Sequence, residues 1–331
     1  MALLLAEADV KAVLTMPLAI AAVEDSFRRL ADGTALLHSR QRLHVPSKSY
    51  LHYMAAADAA SGYMGLKIYT SAKEGLRFLV PLFSVESGDM LALIEADYLG
   101  QMRTGAASGV ATRLLAREDA RNVGIIGTGL QARTQLEAIA LVRKLARVRT
   151  WSRDEQRRKK FAVEMSEVVG LRVEAAATAE EAIGDADIVV TSTTATNPVV
   201  EERWLKPGVH INAIGANFPQ KRELDAAAIE RCEVIVADSR EQSKFEAGDL
   251  IQAFGEEPMK WAGVRELADI VGGKVPGRTS PEQITLFKSN GIAIEDIVVA
   301  GRIYELARER GLGREVPMWQ KEARPGQARG V

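Results

Sequence analysis

Residues 124–132, GIIGTGLQA, have the composition and spacing of a turn that binds the pyrophosphate of a dinucleotide. An apolar run of strand type ends at Gly127, and a helical pattern begins by Gln131. Two glycines in a loop are a weak signal, and a plain turn is the alternative. The strand-turn-helix order favours binding, because it brings the first amides of a helix to the phosphates. The predicted cofactor-binding residues of this turn are Gly127, Thr128, Gly129, Leu130 and Gln131.

The end of the next predicted strand indicates the type of nicotinamide cofactor. NAD-specific turns have an acidic residue there for the adenosine ribose, whereas this chain has Ser152 and Arg153. Ser152 does not repel a 2′-phosphate, and Arg153 can pair with one. NADP(H) is therefore preferred over NAD(H), with Ser152 and Arg153 as cofactor-binding residues. Asp154 keeps NAD(H) open, and the basic residues 157–160 also fit a solvent-exposed helix face.

The chain from residue 122 onward alternates strand-like and helical segments. Because strands that alternate with helices form parallel sheets, we predict a doubly wound Rossmann domain. Thr193 follows one of these strands, where such sheets bind ligands, so it is a further cofactor-binding candidate, with a plain polar loop as the alternative. The predicted strands are residues 123–127, 148–152, 171–175, 187–193, 209–215 and 233–238.

The first 115 residues have a different pattern. A helix is predicted near residues 17–30, and QRLHVP, SYLHYMAAA and GLKIYT alternate as half-buried antiparallel strands do. A small-residue helix near 95–116 links the two parts, and an amphipathic helix near 291–311 is predicted to return to the first part. The predicted fold class is α/β, a Rossmann domain at 116–302 plus a discontinuous α+β domain at 1–115 and 303–331.

The composition excludes several functional classes. The 331 residues carry a net charge of −1, which provides no positive field for nucleic acid or a membrane surface. There is one cysteine, so no internal disulfide forms, and we expect a cytoplasmic location. The four histidines lack metal-ligand spacing, and no metal site is predicted. The apolar run at residues 2–5 is too short for a signal peptide, and residues 321–331 read as a loose tail.

Three segments together, RTGAAS, GTGLQA and GANFPQKREL, give the chain a resemblance to the ornithine cyclodeaminase and mu-crystallin family over nearly its whole length. That family includes cyclodeaminases, archaeal-type alanine dehydrogenases, ketimine reductases and a hormone-binding crystallin. The resemblance implies a homodimer in which the Rossmann domain lies beside an α+β substrate and dimerisation domain. It fixes the chemistry more firmly than the substrate.

The resemblance also implies a set of residues that grip a small carboxylate substrate. These are Arg42, Lys67 and Arg103. Arginine binds a carboxylate bidentately, and Lys67 would act as general acid or base beside the hydride path, with a pKa lowered by desolvation. Arg40, two residues before Arg42, would share its strand face. The alternative for each is an ordinary surface or capping charge, although the apolar neighbours of Lys67 argue against exposure.

Four more positions complete the predicted site. Thr104 follows Arg103 near the start of the small-residue helix and would contact the cofactor phosphates, and Ser289 or Asn290 would lie near the nicotinamide by resemblance. Asn217 stands where cyclodeaminases have an aspartate that assists amine chemistry. His52 or a neighbour stands where they hold the ornithine amine with a glutamate. Both departures argue against ornithine as substrate.

The sequence therefore predicts an NAD(P)H-dependent oxidoreductase that transfers hydride at C2 of a small imino or amino acid. Reduction of a cyclic ketimine and reductive amination of a 2-oxo acid such as pyruvate are both compatible. Ornithine cyclodeamination is one alternative. A non-catalytic NADPH and small-ligand binding protein, as in mu-crystallin, is another.

Overall fold

The computed structural model describes residues 1–46, 49–73 and 75–319. The expected loose tail at 321–331 lies outside these residues. Two β-sheets and the helices packed on them form the chain, and the predicted fold class is confirmed. No helix in the described ranges has the length and apolar content needed to cross a lipid bilayer.

The first sheet is mostly antiparallel and has the strand order β15-β1-β6-β5-β4-β3-β2. Only the β1–β6 pair in this sheet is parallel. The central strands alternate inward and outward residues, as the sequence predicted for a half-buried sheet. Its strands are β1 (Ala2–Leu5), β2 (Ala35–Val45), β3 (Ser49–Asp58), β4 (Tyr63–Ala72), β5 (Gly75–Ser84), β6 (Met90–Glu95) and β15 (Arg314–Val316).

The second sheet is entirely parallel and has the order β13-β12-β14-β11-β10-β7-β8-β9. The chain order reverses between β7 and β10, which is the switch point where doubly wound sheets open a crevice. The strands are β7 (Asn122–Ile126), β8 (Arg147–Trp151), β9 (Val173–Ala175), β10 (Ile188–Thr191), β11 (His210–Ala213), β12 (Val234–Ala237), β13 (Arg265–Glu266) and β14 (Thr285–Lys288).

Helices cover the sheets and join them. The first sheet is served by α1 (Glu7–Val13), α2 (Met16–Ala31) and α12 (Ala293–Glu309), and α3 (Asp97–Leu115) connects the two sheets. The remaining helices belong to the parallel sheet. They are α4 (Leu130–Val142), α5 (Glu155–Val169), α6 (Ala179–Ile183), α7 (Ala226–Glu230), α8 (Arg240–Glu246), α9 (Gly248–Phe254), α10 (Pro258–Ala262) and α11 (Leu267–Val271).

The two long helices α3 and α12 form the core between the sheets. Helix α3 is rich in small residues because it crosses α4 closely, and a Cβ at Gly105 would overlap the carbonyl oxygen of Thr134. Helix α12 packs against α2, β3 and β4, so it returns the chain to the first sheet as predicted. The domain boundary expected at residue 303 falls inside α12, which begins at Ala293. The division into two domains stays a prediction.

Candidate active site

A cleft of about 1020 Å³ opens between the inner face of the first sheet and the carboxyl ends of the parallel strands. This is the crevice in which doubly wound folds bind ligands. Strands β4 and β5, helix α3 and the loops after β7, β8, β10, β11 and β14 contribute to its walls. The predicted site residues that line it are Lys67, Arg103, Thr104, Gly127, Thr128, Gly129, Leu130, Gln131, Ser152, Arg153, Thr193, Asn217 and Ser289.

The glycine turn at the end of β7 allows close approach of a ligand to the backbone. Gly127 has a φ of 113°, and a Cβ there would overlap the carbonyl oxygen of Ser192. Gly129 is the N-cap of α4, and no described atom lies within 4 Å of the position that its Cβ would take. Within the described chain this N-cap makes no side-chain capping bond. The first amides of α4 are therefore available to an anionic group.

The loop after β8 offers hydroxyl and guanidinium groups to the cleft. Ser152 accepts a hydrogen bond from the hydroxyl of Thr128 at 3.1 Å, which ties this loop to the glycine turn. The carboxylate of Asp154 caps α5 by accepting from the backbone N–H of Arg157 at 3.0 Å. Arg153 and Arg157 also line the cleft. The acid nearest the end of β8 is thus engaged in a helix cap, while two arginines border the same space.

Lys67 lies on the inner face of β4 with its ammonium in the cleft. The residue is only 2% exposed, and Nζ donates to Asp296 Oδ1 at 2.7 Å. Gly100 of α3 leaves room for this ammonium, because a Cβ there would stand 3.3 Å from Nζ. Burial, together with the charge of Arg103, lowers the pKa of Lys67 to about 8, although Asp296 acts in the opposite direction. This pKa suits a group that exchanges a proton near neutral pH.

Arg103 lies beside Lys67, on α3. Its Nε donates to Asp296 Oδ1 at 3.1 Å, and Nη1 donates to Glu295 Oε2 at 2.6 Å. Burial disfavours its charge, but Asp296 and Glu295 more than offset this and raise the pKa of Arg103. Burial raises the pKa of Glu295 to about 8, while the adjoining Arg103 acts in the opposite direction. Lys67 and Arg103 thus place an ammonium and a guanidinium side by side at the cleft, where both can attract an anionic substrate.

Arg42 is the one predicted site residue that does not line the cleft, and Arg40 takes that place. The β2–β3 pairing shifts register between His38 and Gln41, which is a β-bulge. Arg40 bonds to Glu246 and to the carbonyl oxygen of Gly291 at 3.0 Å. Arg42 Nη2 lies 2.8 Å from Glu246 Oε1, and its guanidinium carbon is 4.5 Å from the centre of the Phe218 ring. Arg42 therefore borders the cleft from behind Glu246 and Phe218.

Asn217 and Thr104 line the cleft from the loop after β11 and from α3. The backbone oxygen of Asn217 accepts from Arg42 at 3.1 Å, which joins the loop after β11 to the first sheet. Thr104 donates to the carbonyl oxygen of Gly100 at 2.7 Å, and its own carbonyl oxygen accepts from Gln135 at 3.1 Å. The Thr104 hydroxyl is thus bonded within its own helix.

A stack of aromatic rings forms the wall next to Lys67. The rings of His52 and Tyr69 are parallel with centroids 4.2 Å apart, and Tyr69 stacks on Phe78 at 5.0 Å. Burial, followed by Arg42 and Arg40, lowers the pKa of His52 to about 4, so its ring is neutral at pH 7. The wall is flat and uncharged.

The sequence and fold that build this cleft match those of known proteins. Residues 1–311 match the model of the ornithine cyclodeaminase/mu-crystallin family. This chain belongs to that family. A Δ1-pyrroline-2-carboxylate reductase of Bacillus cereus is 41% identical over 76% of this chain and 80% of that protein. An alanine dehydrogenase of Archaeoglobus fulgidus is 35% identical over 96% of this chain and 99% of that protein.

A solved structure of a family member has nearly the same fold. It is the Δ1-pyrroline-2-carboxylate reductase of Thermococcus litoralis, in complex with NADH and L-proline. It is 37% identical to this chain, with a TM-score of 0.91, and the match covers 95% of this chain and 100% of the other. The resemblance that the sequence indicated is confirmed.

Several residues in and beside the cleft of this protein were not predicted from its sequence. Asp296 and Glu295 lie in the helix that was predicted only as amphipathic. An acid in such a pattern is usually exposed to solvent, whereas both of these are buried. Tyr69 and Phe78 were not distinguished from core residues. Among the described residues, no group of three His, Cys, Asp or Glu side chains is arranged to hold a metal ion.

Proposed function

We propose that this protein is an NAD(P)H-dependent reductase that transfers hydride to C2 of a small cyclic 2-imino acid, such as a pyrroline or piperideine carboxylate. The observation that carries the proposal is the buried ammonium of Lys67, which shares one cleft with the glycine turn and lies beside Arg103. The oxidoreductase class agrees with the reductase and dehydrogenase relatives.

The cleft suits a dinucleotide. Gly127 and Gly129 leave the backbone open, and the uncapped start of α4 offers amides and a positive helix end to the pyrophosphate. Thr193 and Ser289, after β10 and β14, lie on the side where the nicotinamide would rest. A bound NAD(P)H supplies the hydride.

The chain's own groups bind the substrate and manage its proton. Arg103 and Arg40, which both line the cleft, would hold the carboxylate so that C2 is presented to the nicotinamide, and Arg42 adds positive charge next to Arg40. Lys67 donates a proton to the imine nitrogen as the hydride reaches C2, which yields the amine. Asn217 offers a neutral amide in the lining of the same cleft. The reaction is balanced, because the imine, one hydride and one proton together give the amine product.

The aromatic wall favours a ring as substrate. His52, Tyr69 and Phe78 present flat and uncharged faces beside Lys67, which fit a planar imine ring better than a charged side chain. Two acids line the described part of the cleft, Asp97 and Asp154. Asp154 caps α5 and Asp97 is exposed at the rim, so neither is placed as a buried partner for an ornithine amine.

We further propose that NADP(H) is preferred over NAD(H). The support is local, because Arg153 and Arg157 border the cleft while the nearest acid, Asp154, is engaged as a helix cap. The relative solved with L-proline contains NADH, so the preference is a property proposed for this chain alone.

We also propose a homodimer formed through the outer face of the first sheet. Leu36, Leu43 and Tyr53 are 70%, 59% and 43% exposed on that face. A solved archaeal alanine dehydrogenase at 35% identity is a dimer. The cytoplasmic location expected from the single cysteine stays a prediction.

The experiment is a panel of substrates with the purified protein, monitored by loss of NADPH or NADH absorbance. We expect turnover with pyrroline-2-carboxylate and piperideine-2-carboxylate, and much less with pyruvate plus ammonia. Conversion of ornithine to proline without cyclic-imine turnover would establish the cyclodeaminase alternative. Tight NADPH binding with no turnover of any imine would favour the non-catalytic alternative.

A further inference from the structure

Three neighbouring strands of the parallel sheet end at one side of the cleft. They are β10, β11 and β14, which are adjacent in the order β14-β11-β10. The segments that follow them contribute Thr193, Gly215 and Ser289 to the cleft. The relative position of these three segments therefore sets the shape of the side on which the nicotinamide is proposed to bind.

One buried carboxylate joins two of these segments. Glu223 Oε1 accepts the backbone N–H of Thr193 at 2.6 Å. Its Oε2 accepts the backbone N–H of Gly215 and the hydroxyl of Thr191, each at 2.8 Å. Glu223 has no solvent exposure and does not line the cleft itself. Glu223 therefore contacts both loops from the protein interior and not from the cleft.

A second acid and a lysine connect the backbone of Glu223 to the third strand. Asp249 Oδ1 accepts the backbone N–H of Glu223 at 2.6 Å, and Oδ2 lies 3.1 Å from Lys288 Nζ. Lys288 is the last residue of β14 and directly precedes Ser289. Asp249 and Lys288 are as buried as Glu223. The Asp249 carboxylate therefore links the backbone at Glu223 to the end of β14.

Stability alone does not account for this arrangement. Burying charged groups is costly, and a buried ion pair is weak evidence for a stabilising role. Burial, and then the charge of Asp249, raises the pKa of Glu223. What the carboxylate provides, and an apolar group does not, is acceptors for three donors in a fixed geometry.

We propose that Glu223 is a positioning residue for the cofactor cleft. Its carboxylate fixes the loops after β10 and β11, and Asp249 with Lys288 ties its backbone to the end of β14. This rests on the cofactor role proposed above for the cleft. The residue lies in the KREL part of GANFPQKREL, a segment whose Gly215 and Asn217 line the cleft.

The test compares Glu223→Gln with Asp187→Asn, a matched variant of a buried acid at the amino ends of the same parallel strands. Asp187 also accepts two backbone N–H groups, those of Arg121 and Asn122, each at 2.9 Å, but at the amino end of β10. We expect Glu223→Gln to raise the Kd of NADPH about tenfold, the effect of losing one charged hydrogen bond. Asp187→Asn should leave that Kd within about twofold, even where it lowers the melting temperature as much.

Hydrogen exchange of the ligand-free protein separates this proposal from the proposed function. Glu223→Gln should speed amide exchange in residues 192–197 and 214–218 while leaving α12 unchanged, and this readout needs no cofactor. If Glu223→Gln does not fold, Thr191→Val removes one donor with little change of shape, and should speed exchange in the same segments. Unchanged exchange and unchanged NADPH affinity in the folded variant would overturn the positioning role. Absence of dinucleotide binding in the wild type would overturn the proposed function, whereas the exchange result would still decide whether Glu223 holds the loops.

Discussion

Lys67 Nζ lies 2.7 Å from Asp296 Oδ1, and the same oxygen accepts the Nε of Arg103 at 3.1 Å. Two cations thus share one oxygen of a carboxylate that has no solvent exposure. The shared acceptor holds the ammonium beside the guanidinium. The distance between the proton donor, Lys67, and the group proposed to bind the substrate carboxylate, Arg103, is therefore fixed. Positioning of this kind contributes more to catalysis than the ion pairs contribute to stability.

Replacing Lys67 distinguishes an enzyme from a binding protein. Lys67→Met should lower kcat by at least about 100-fold, because general acid catalysis of this kind contributes 10²–10⁴-fold. NADPH binding, measured by fluorescence titration, should change less than about threefold. The exposed Lys73, which follows the same strand, is a matched control, and Lys73→Met should behave as wild type. Retained turnover in Lys67→Met would remove Lys67 from the mechanism.

The pH dependence should follow the protonation of Lys67. Its pKa is about 8, and the general acid acts in the protonated form, so kcat/KM for imine reduction should fall as pH rises through about 8. Asp296 raises that pKa, so Asp296→Asn should move the fall to lower pH, by about one unit. Glu305→Gln, on the same helix but bonded to Tyr63 at the far end, should leave the profile unchanged. A profile of Asp296→Asn that moves to higher pH would contradict this assignment.

The two glycines of the turn should respond differently to alanine. Gly127→Ala places a Cβ against the Ser192 carbonyl at a φ of 113°, so it should lower the free energy of unfolding by about 3 kcal/mol. Gly129→Ala meets no described atom within 4 Å and should leave stability within about 1 kcal/mol while weakening NADPH binding. Chemical denaturation and a binding titration measure the two effects. Equal stability losses would show that the turn is not built as described.

The sequence predicted the parallel sheet well where the signal was local. The strand before the glycine turn was expected at 123–127 and is found at Asn122–Ile126. Strand β14 was missed, because its apolar run is short and ends in Lys288, whose partner Asp249 is distant in sequence. Only the folded structure shows that the charge of Lys288 is paired with that of Asp249.

The same distinction applies to the site. The glycine turn and Lys67 were found from spacing, neighbours and family resemblance, and both line the cleft. Arg40 lies in a β-bulge of β2, which regular alternation does not indicate, and Arg42 is held away from the cleft by its contacts with Glu246 and Phe218. Asp296 reaches Lys67 from a helix near the end of the chain. Contacts between residues so far apart in the sequence depend on tertiary packing rather than on local sequence pattern.

Arg153 should determine the cofactor preference. Arg153→Ser should raise the KM for NADPH about tenfold and leave that for NADH within about twofold, because only the 2′-phosphate loses a charged hydrogen bond. Lys160→Ser is a control on the same segment, since Lys160 is exposed and absent from the cleft lining. Steady-state kinetics with both cofactors gives the result. A wild type that uses NADH with the lower KM would refute the NADP(H) preference.

The outer face of the first sheet should hold the homodimer together. Leu43 and Leu51 are paired across β2 and β3, and with Tyr53 they leave an apolar surface open on the side away from the cleft. Sedimentation velocity should give the wild type twice the chain mass, and Leu43→Glu with Tyr53→Lys should give the monomer at micromolar concentration, because charged groups are costly to bury without partners. Val163 is 65% exposed on α5, so Val163→Glu should leave the dimer intact. A wild type that sediments as a monomer, or a double variant that stays dimeric, would place the interface elsewhere, whereas dissociation confined to the sheet variant would locate it on this face.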